Sequence, residues 1–177
     1  MIEQLNAKPA ELGEAELRQM AGSIADRPEL WRHLVRHDPE ERAWERIFRN
    51  DAVEAYVICW MDGHDTGFHD HDVSRGALAV AEGAVREERL ALGGSPIGRV
   101  LGGGQSLSFG ASDIHRVLHA GGRPSTTIHV YSPPIRQMGQ YEIGENGVLL
   151  RHARGEDEEL RSEAAAESAL PAASGWS

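Results

Sequence analysis

Cysteine is nearly absent from this chain: Cys59 is the only one in 177 residues. An intramolecular disulfide is therefore impossible, and a reducing cytosol is the expected compartment. A multi-thiolate metal site is excluded for the same reason. Basic charge is also short. Lys and Arg number 18 against 28 Asp and Glu, a formal net charge of −10. Nucleic acids and anionic membranes both need a basic footprint, so neither is an expected partner. The opening run MIEQLNAKPAELGEAELRQM lacks a basic start and an apolar core, so no secretory leader is expected. No apolar stretch is long enough to cross a bilayer.

The chain does hold two different textures. Residues 10–25 place Leu12, Leu17, Met20, Ala21 and Ile24 near helical spacing. Pro28, followed by Leu30, Trp31, Leu34 and Val35, suggests a second short helix that Asp38-Pro39 ends. From Trp44 onward, short β-rich runs alternate with glycine turns. Strands are expected at 44–48, 54–61, 76–81, 84–92, 105–109, 126–131 and 137–143. Many short strands at close spacing predict a mainly β fold, a jelly-roll barrel with N-terminal helices. The expected organisation is one domain over 1–155, helical over 1–40 and barrel over 41–155. Residues 156–177 form an acidic, Ala- and Ser-rich tail expected to fray.

The densest chemistry lies in GHDTGFHDH, residues 63–71. In a strand, residues two apart share a face, so His69 and His71 aim two imidazoles into one space. Taken alone, the pair reads equally well as two surface histidines in an Asp-rich turn. Its surroundings favour a metal. Gly63, five residues and then His-x-His resembles the opening of the first cupin motif, and Gly83 falls where that motif ends. The glutamate usual in that motif is missing; its position falls at Gly76. A third ligand must then come from elsewhere, and His115 and His129 are the candidates. His129 lies in a run where Thr127, His129 and Tyr131 alternate with Ile128 and Val130. Such a polar row reads better as a hydrogen-bonded relay, or as a satisfied core histidine, than as a ligand row. His115 is therefore assigned to the metal and His129 to a place behind it. Three neutral imidazoles leave the full charge on a divalent metal, which favours an anionic substrate such as a thiolate or a carboxylate.

The blocks HDHDVSRGA, IHRVLH and TTIHVYSPP together resemble the signature blocks of the cysteine dioxygenase family, in its bacterial style. The resemblance runs from about Trp44 to Tyr141. It implies a cupin-type barrel that binds Fe(II) through His69, His71 and His115. It implies a row of Thr127, His129 and Tyr131 behind the metal, and a substrate site with Arg46, Trp60 and Tyr131. Arg46 is the best match to the family's carboxylate-binding arginine, with Arg42 and Arg49 as weaker matches. On a strand, Trp44, Arg46 and Phe48 would share one face. Animal members carry a cysteine linked to the active-site tyrosine. Gly76 stands at that position, so Tyr131 is expected unmodified. Trp44 stands where a tyrosine is frequent, which would reshape the pocket.

The resemblance implies an enzyme that converts L-cysteine and dioxygen to cysteine sulfinic acid, as a cytoplasmic monomer. The same chemistry on 3-mercaptopropionate or another small thiol is the nearest alternative. A zinc cupin hydrolase and a non-catalytic, ligand-binding cupin are the others.

Overall fold

The computed structural model describes residues 10–91, 95–143 and 148–155. The expected acidic tail lies outside the described residues. Among the described residues the N-terminal part forms one α-helix, α1 (Glu14–Ala25). Leu17, Ala21 and Ile24 recur at helical spacing and are all buried. The Gly13 N–H donates to Glu16 Oε2 at 2.8 Å, which satisfies one donor at the helix start. The second expected helix is instead two 3-10 turns, Pro28–Leu30 and Arg32–Leu34. Trp31 separates them. Its φ of −135° leaves helical space, its ring is buried, and its indole N–H donates to the Ala25 carbonyl at 3.2 Å. Drawing that indole into the core under α1 breaks the helix.

Among the described residues eleven strands follow: β1 (Trp44–Arg49), β2 (Glu54–Trp60), β3 (Phe68–Asp70), β4 (Arg75–Glu82), β5 (Ala84–Arg89), β6 (Ile97–Gly102), β7 (Ser106–Phe109), β8 (His115–His119), β9 (Ser125–Ser132), β10 (Gln137–Ile143) and β11 (Leu149–Gly155). They form two antiparallel sheets. One runs β1-β2-β9-β4-β7, the other β11-β10-β3-β8-β5-β6. This is the mainly β, double-sheet architecture expected from the strand spacing.

The five-stranded sheet is covered on both faces. Every residue of β2 and β9 is buried. Ala55, Val57, Ala77, Ala79, Ile128 and Val130 pack outward against α1 and Trp31. Tyr56, Ile58, Trp60, Leu78, Val80 and Tyr131 turn inward and meet Val85, Leu101, Val117 and Met138 of the other sheet. The polar row of β9 therefore looks into the space between the sheets, because its apolar alternates are claimed by the helix.

One facial assignment is corrected. The β1–β2 pairing runs Arg46 to Tyr56 and then Phe48 to Ala55, with Ile47 as the extra residue of a β-bulge. Trp44 packs on the inner core, while Phe48 packs on the α1 side. Trp44 and Arg46 share a face; Phe48 does not. The strands β3, β6 and β11 carried no clear pattern. β3 has three residues, and β11 is exposed throughout, so no apolar alternation marks either one.

Leu17→Ala should remove about 2–5 kcal/mol of stability in denaturant unfolding. It should leave metal affinity unchanged, because α1 covers the sheet face that points away from the inner core. A loss of affinity on that substitution would place the helix in contact with the metal site.

Candidate metal centre

His69 lies in β3 and His115 opens β8, and the two are direct cross-strand partners. His71 follows just past the end of β3. All three are at most 2 % exposed. Their ring centroids are 4.7 Å (His69–His115), 4.8 Å (His69–His71) and 5.3 Å (His71–His115) apart. One nitrogen from each ring falls in a group whose members all lie within 4.8 Å of one another.

The partners of the outer nitrogens define the tautomers. His69 Nδ1 lies 3.0 Å from the Gly67 carbonyl, an acceptor only, so Nδ1 carries the proton and Nε2 the lone pair. His115 Nδ1 lies 3.4 Å from Glu87 Oε1, which has the same consequence. His115 Nε2 is buried and has no hydrogen-bond partner. Burial pushes the His115 imidazole down to about 3, with Glu87 pulling it up and the other two rings pushing it further down. The ring is neutral at physiological pH, and no proton competes with a metal there. Three buried imidazoles, the His115 ring neutral and its Nε2 without a hydrogen-bond partner, fit a divalent transition metal.

The pair His69-x-His71 is held from behind. Asp70, between them, is buried and accepts from Arg151 at 2.7 and 2.8 Å, from the Asp72 N–H at 2.9 Å and from the Tyr141 hydroxyl. Burial alone would raise its carboxyl. The bonds from Arg151 and Tyr141 outweigh that and hold it well below the usual carboxylate range. Asp72 takes a left-handed φ of 55° and turns the chain straight after His71. Asp70 is thus a buried clasp, while Asp72 and Val73 after it are exposed.

Gly76 explains why no carboxylate joins the set. It pairs with Tyr131 across β4 and β9. A Cβ there would collide with the Phe109 ring and lie 2.8 Å from Tyr131 Cδ1. Phe109 in turn stacks on His71 with centroids 4.7 Å apart. Neither a glutamate nor a cysteine fits at this position without moving the wall of the site.

The row on β9 forms a continuous chain. The Trp60 indole N–H donates to Thr127 Oγ1 at 2.8 Å. Thr127 Oγ1 lies 3.0 Å from His129 Nε2, and His129 Nδ1 lies 3.1 Å from the Tyr131 hydroxyl. The Tyr131 ring centroid is 5.1 Å from that of His71. Trp60 was expected to bind substrate. It is fully buried, its one donor is committed to Thr127, and it stacks against His129. Its link to the site runs through the relay.

The three arginines separate clearly. Arg46 is exposed on β1, directly across from Tyr56 in the β1–β2 register. Arg49 pairs with Glu54 at 3.4 Å. Arg42 is buried, donates to the Asp65 carbonyl at 3.0 Å and lies over the Trp60 ring. His64 and His119 both bond to the turn after β2: His64 Nδ1 accepts from the Met61 N–H at 3.1 Å, and His119 Nδ1 lies 2.8 Å from Asp62.

Glu87 is the residue that sequence reasoning missed. It sits in the charged run REER and looks like part of a solvated face. In the structure it is 1 % exposed. It meets His115 with Oε1, and Arg89 and Arg99 at 2.7 and 2.9 Å. Burial raises its carboxyl, but the bonds from His115, Arg89 and Arg99 prevail and hold it at about 2. Its negative charge is met by two guanidinium groups, so it orients His115 without cancelling the charge of a metal. Glu87→Gln should weaken metal affinity by about 10- to 100-fold, read by titration of metal-free protein. Unchanged affinity would reduce Glu87 to a buried ion-pair residue with no part in the metal site.

Comparison with known proteins agrees with this geometry. A cysteine dioxygenase type 1 from Danio rerio is 24 % identical over 140 residues, covering 72 % of this chain and 69 % of its own. The Homo sapiens cysteine dioxygenase type 1 is 27 % identical over 97 residues, covering 49 % of this chain and 48 % of its own. Among solved structures, a double-stranded β-helix domain protein from Klebsiella pneumoniae aligns with a TM-score of 0.51 at 15 % identity, covering 70 % of this chain and 94 % of its own. A Bacillus halodurans protein aligns with a TM-score of 0.50 at 18 % identity, covering 73 % and 84 %. These two show the cupin fold. A profile of the family described as cysteine dioxygenase type I matches residues 2–143. The chain belongs to the cysteine dioxygenase type I family, a metal-dependent family of thiol dioxygenases on the cupin fold.

Proposed function

We propose that His69, His71 and His115 hold one Fe(II) and that the chain oxidises the thiol of L-cysteine to the sulfinic acid. Both atoms of one dioxygen end on sulfur, and the thiol supplies all the electrons, so no reductant is required. The ferrous ion, when bound, supplies the one-electron chemistry that dioxygen needs to react with a thiolate. The observation that carries the reading is the cluster of three buried imidazoles with no protein carboxylate in it. Such a set leaves positions for ligands from outside and keeps the site electropositive for an anionic guest.

The remaining residues position that guest. Arg46 shares the inward-facing side of β1 with Trp44, across from Tyr56. Its planar fork suits a carboxylate. The relay sets the direction of the Tyr131 hydroxyl. Thr127 Oγ1 is 3.0 Å from His129 Nε2 but 3.5 Å from the Ile58 carbonyl, so its proton goes to the histidine. His129 Nδ1–H then donates to the Tyr131 oxygen. Tyr131 directs its own proton away from the relay, on the side of His71. A substrate carboxylate or sulfur oxygen there accepts it. Phe109 and the buried rings around His71 exclude water from the reacting sulfur.

Oxygen uptake with L-cysteine, 3-mercaptopropionate and cysteamine tests the substrate. Cysteine should be turned over best, and nitric oxide should give a ferrous nitrosyl resonance that zinc cannot. Arg46→Ala should raise KM for cysteine roughly ten- to hundredfold, the loss of an ionic hydrogen-bonded partner. The same change should leave cysteamine, which has no carboxylate, nearly untouched. Equal effects on both thiols would remove Arg46 from the substrate site.

A further inference from the structure

Glu54 is fully buried and shares the inward face of β2 with Tyr56, Ile58 and Trp60. A carboxylate in that place is costly unless it is held by donors. Tyr56 donates its hydroxyl proton to Glu54 Oε2 at 2.8 Å. The Ile135 N–H donates to Oε1 at 2.6 Å. The Arg49 guanidinium lies 3.4 Å from Oε2. These bonds hold none of the three clustered histidines, and the chemistry described so far makes no use of Glu54.

Tyr56 links the carboxylate to the substrate side. Its ring centroid lies 5.8 Å from Trp44 and 6.3 Å from Tyr131. Its hydroxyl has one proton, and Glu54 takes it. The lone pairs of the same oxygen are left to accept from Arg46, its direct cross-strand partner in the β1–β2 register. We infer that Glu54, acting through Tyr56, positions the Arg46 guanidinium and thereby selects thiols that carry a carboxylate. The inference rests on the thiol dioxygenase reading and on Arg46 as the carboxylate partner. Glu54 is a positioning residue that touches neither metal nor substrate. Arg46 is met by a neutral oxygen, which orients the guanidinium without cancelling its charge. Burial, and then Glu54, push the Tyr56 phenol far above its ordinary range, while Arg46 pulls the other way.

The polarity of the network makes Glu54→Gln a sharp probe. The Ile135 N–H cannot turn, so the amide must keep its one oxygen there. It then presents NH2 to Tyr56. The Tyr56 proton has to turn toward Arg46, and donor faces donor. The shape of the residue is preserved while the signal it sends to Arg46 is reversed.

The experiment measures oxygen uptake by the iron-loaded full chain with L-cysteine and with cysteamine. Glu54→Gln should raise KM for cysteine about tenfold, the loss of one charge-assisted hydrogen bond. KM for cysteamine should move less than about twofold, with kcat for cysteine within about threefold. Added to Arg46→Ala, Glu54→Gln should have no further effect on cysteine, because both act through one guanidinium. Tyr56→Phe should reproduce the same split, and it decides the matter if Glu54→Gln does not fold. Equal effects on the two thiols, or additivity with Arg46→Ala, would overturn the inference while leaving the dioxygenase reading intact. A wild type inactive on every thiol would overturn the dioxygenase reading, and the inference with it. Ultraviolet titration of the tyrosines in metal-free protein reads the network without turnover. Glu54→Gln should bring one phenol down to lower pH, and an unchanged curve would show that Glu54 does not act on Tyr56.

Discussion

The pairing of His69 with His115 across β3 and β8 is the constraint on which the site depends. A slip of one residue in either strand would turn its imidazole to the opposite face. β3 has only three residues, too few for its ladder alone to resist such a slip. Asp70 supplies what the ladder lacks. It is the one residue of the His-Asp-His run that points away from the cluster, and Arg151, Tyr141 and two backbone N–H groups grip it. The clasp spans β3, β10 and β11, so the outer strands of the six-stranded sheet hold the register on which the three-histidine cluster relies.

A second constraint is spatial. Gly76 gives up a side chain so that Phe109 and Tyr131 can close on His71. The result is a ligand set with no negative charge of its own. Glu87 stands behind His115, but Arg89 and Arg99 balance it. The excess positive charge of a bound divalent ion is therefore left for the substrate to meet. Under the proposed function, the preference for an anionic guest follows from the packing of a glycine.

Much of this was legible in the chain. The spacing of His69 and His71 and the alternation of Thr127, His129 and Tyr131 both reflect the two-residue period of a strand, which survives any detail of tertiary structure. The inward direction of the β9 row followed once Ile128 and Val130 were claimed by α1. Other features could not be read. The bulge at Ile47 breaks the two-residue period without any glycine or proline to announce it, so strict alternation puts Phe48 on the wrong face. Trp31 ends a helical pattern because the core takes its ring, a tertiary effect. Glu87 lies in a charged run, and only the pairing of β5 with β8 brings it to His115. Glu54 looks like an ordinary strand-opening polar residue until Tyr56, Ile135 and Arg49 converge on it.

The central claim is that three imidazoles from two separate stretches of chain share one metal ion. Anaerobic titration of the metal-free protein with Fe(II), beside the His115→Ala variant, tests it most directly. The account predicts one tightly bound ion per wild-type chain and none in a folded variant. Full binding by His115→Ala, or no binding by the wild type, would contradict it.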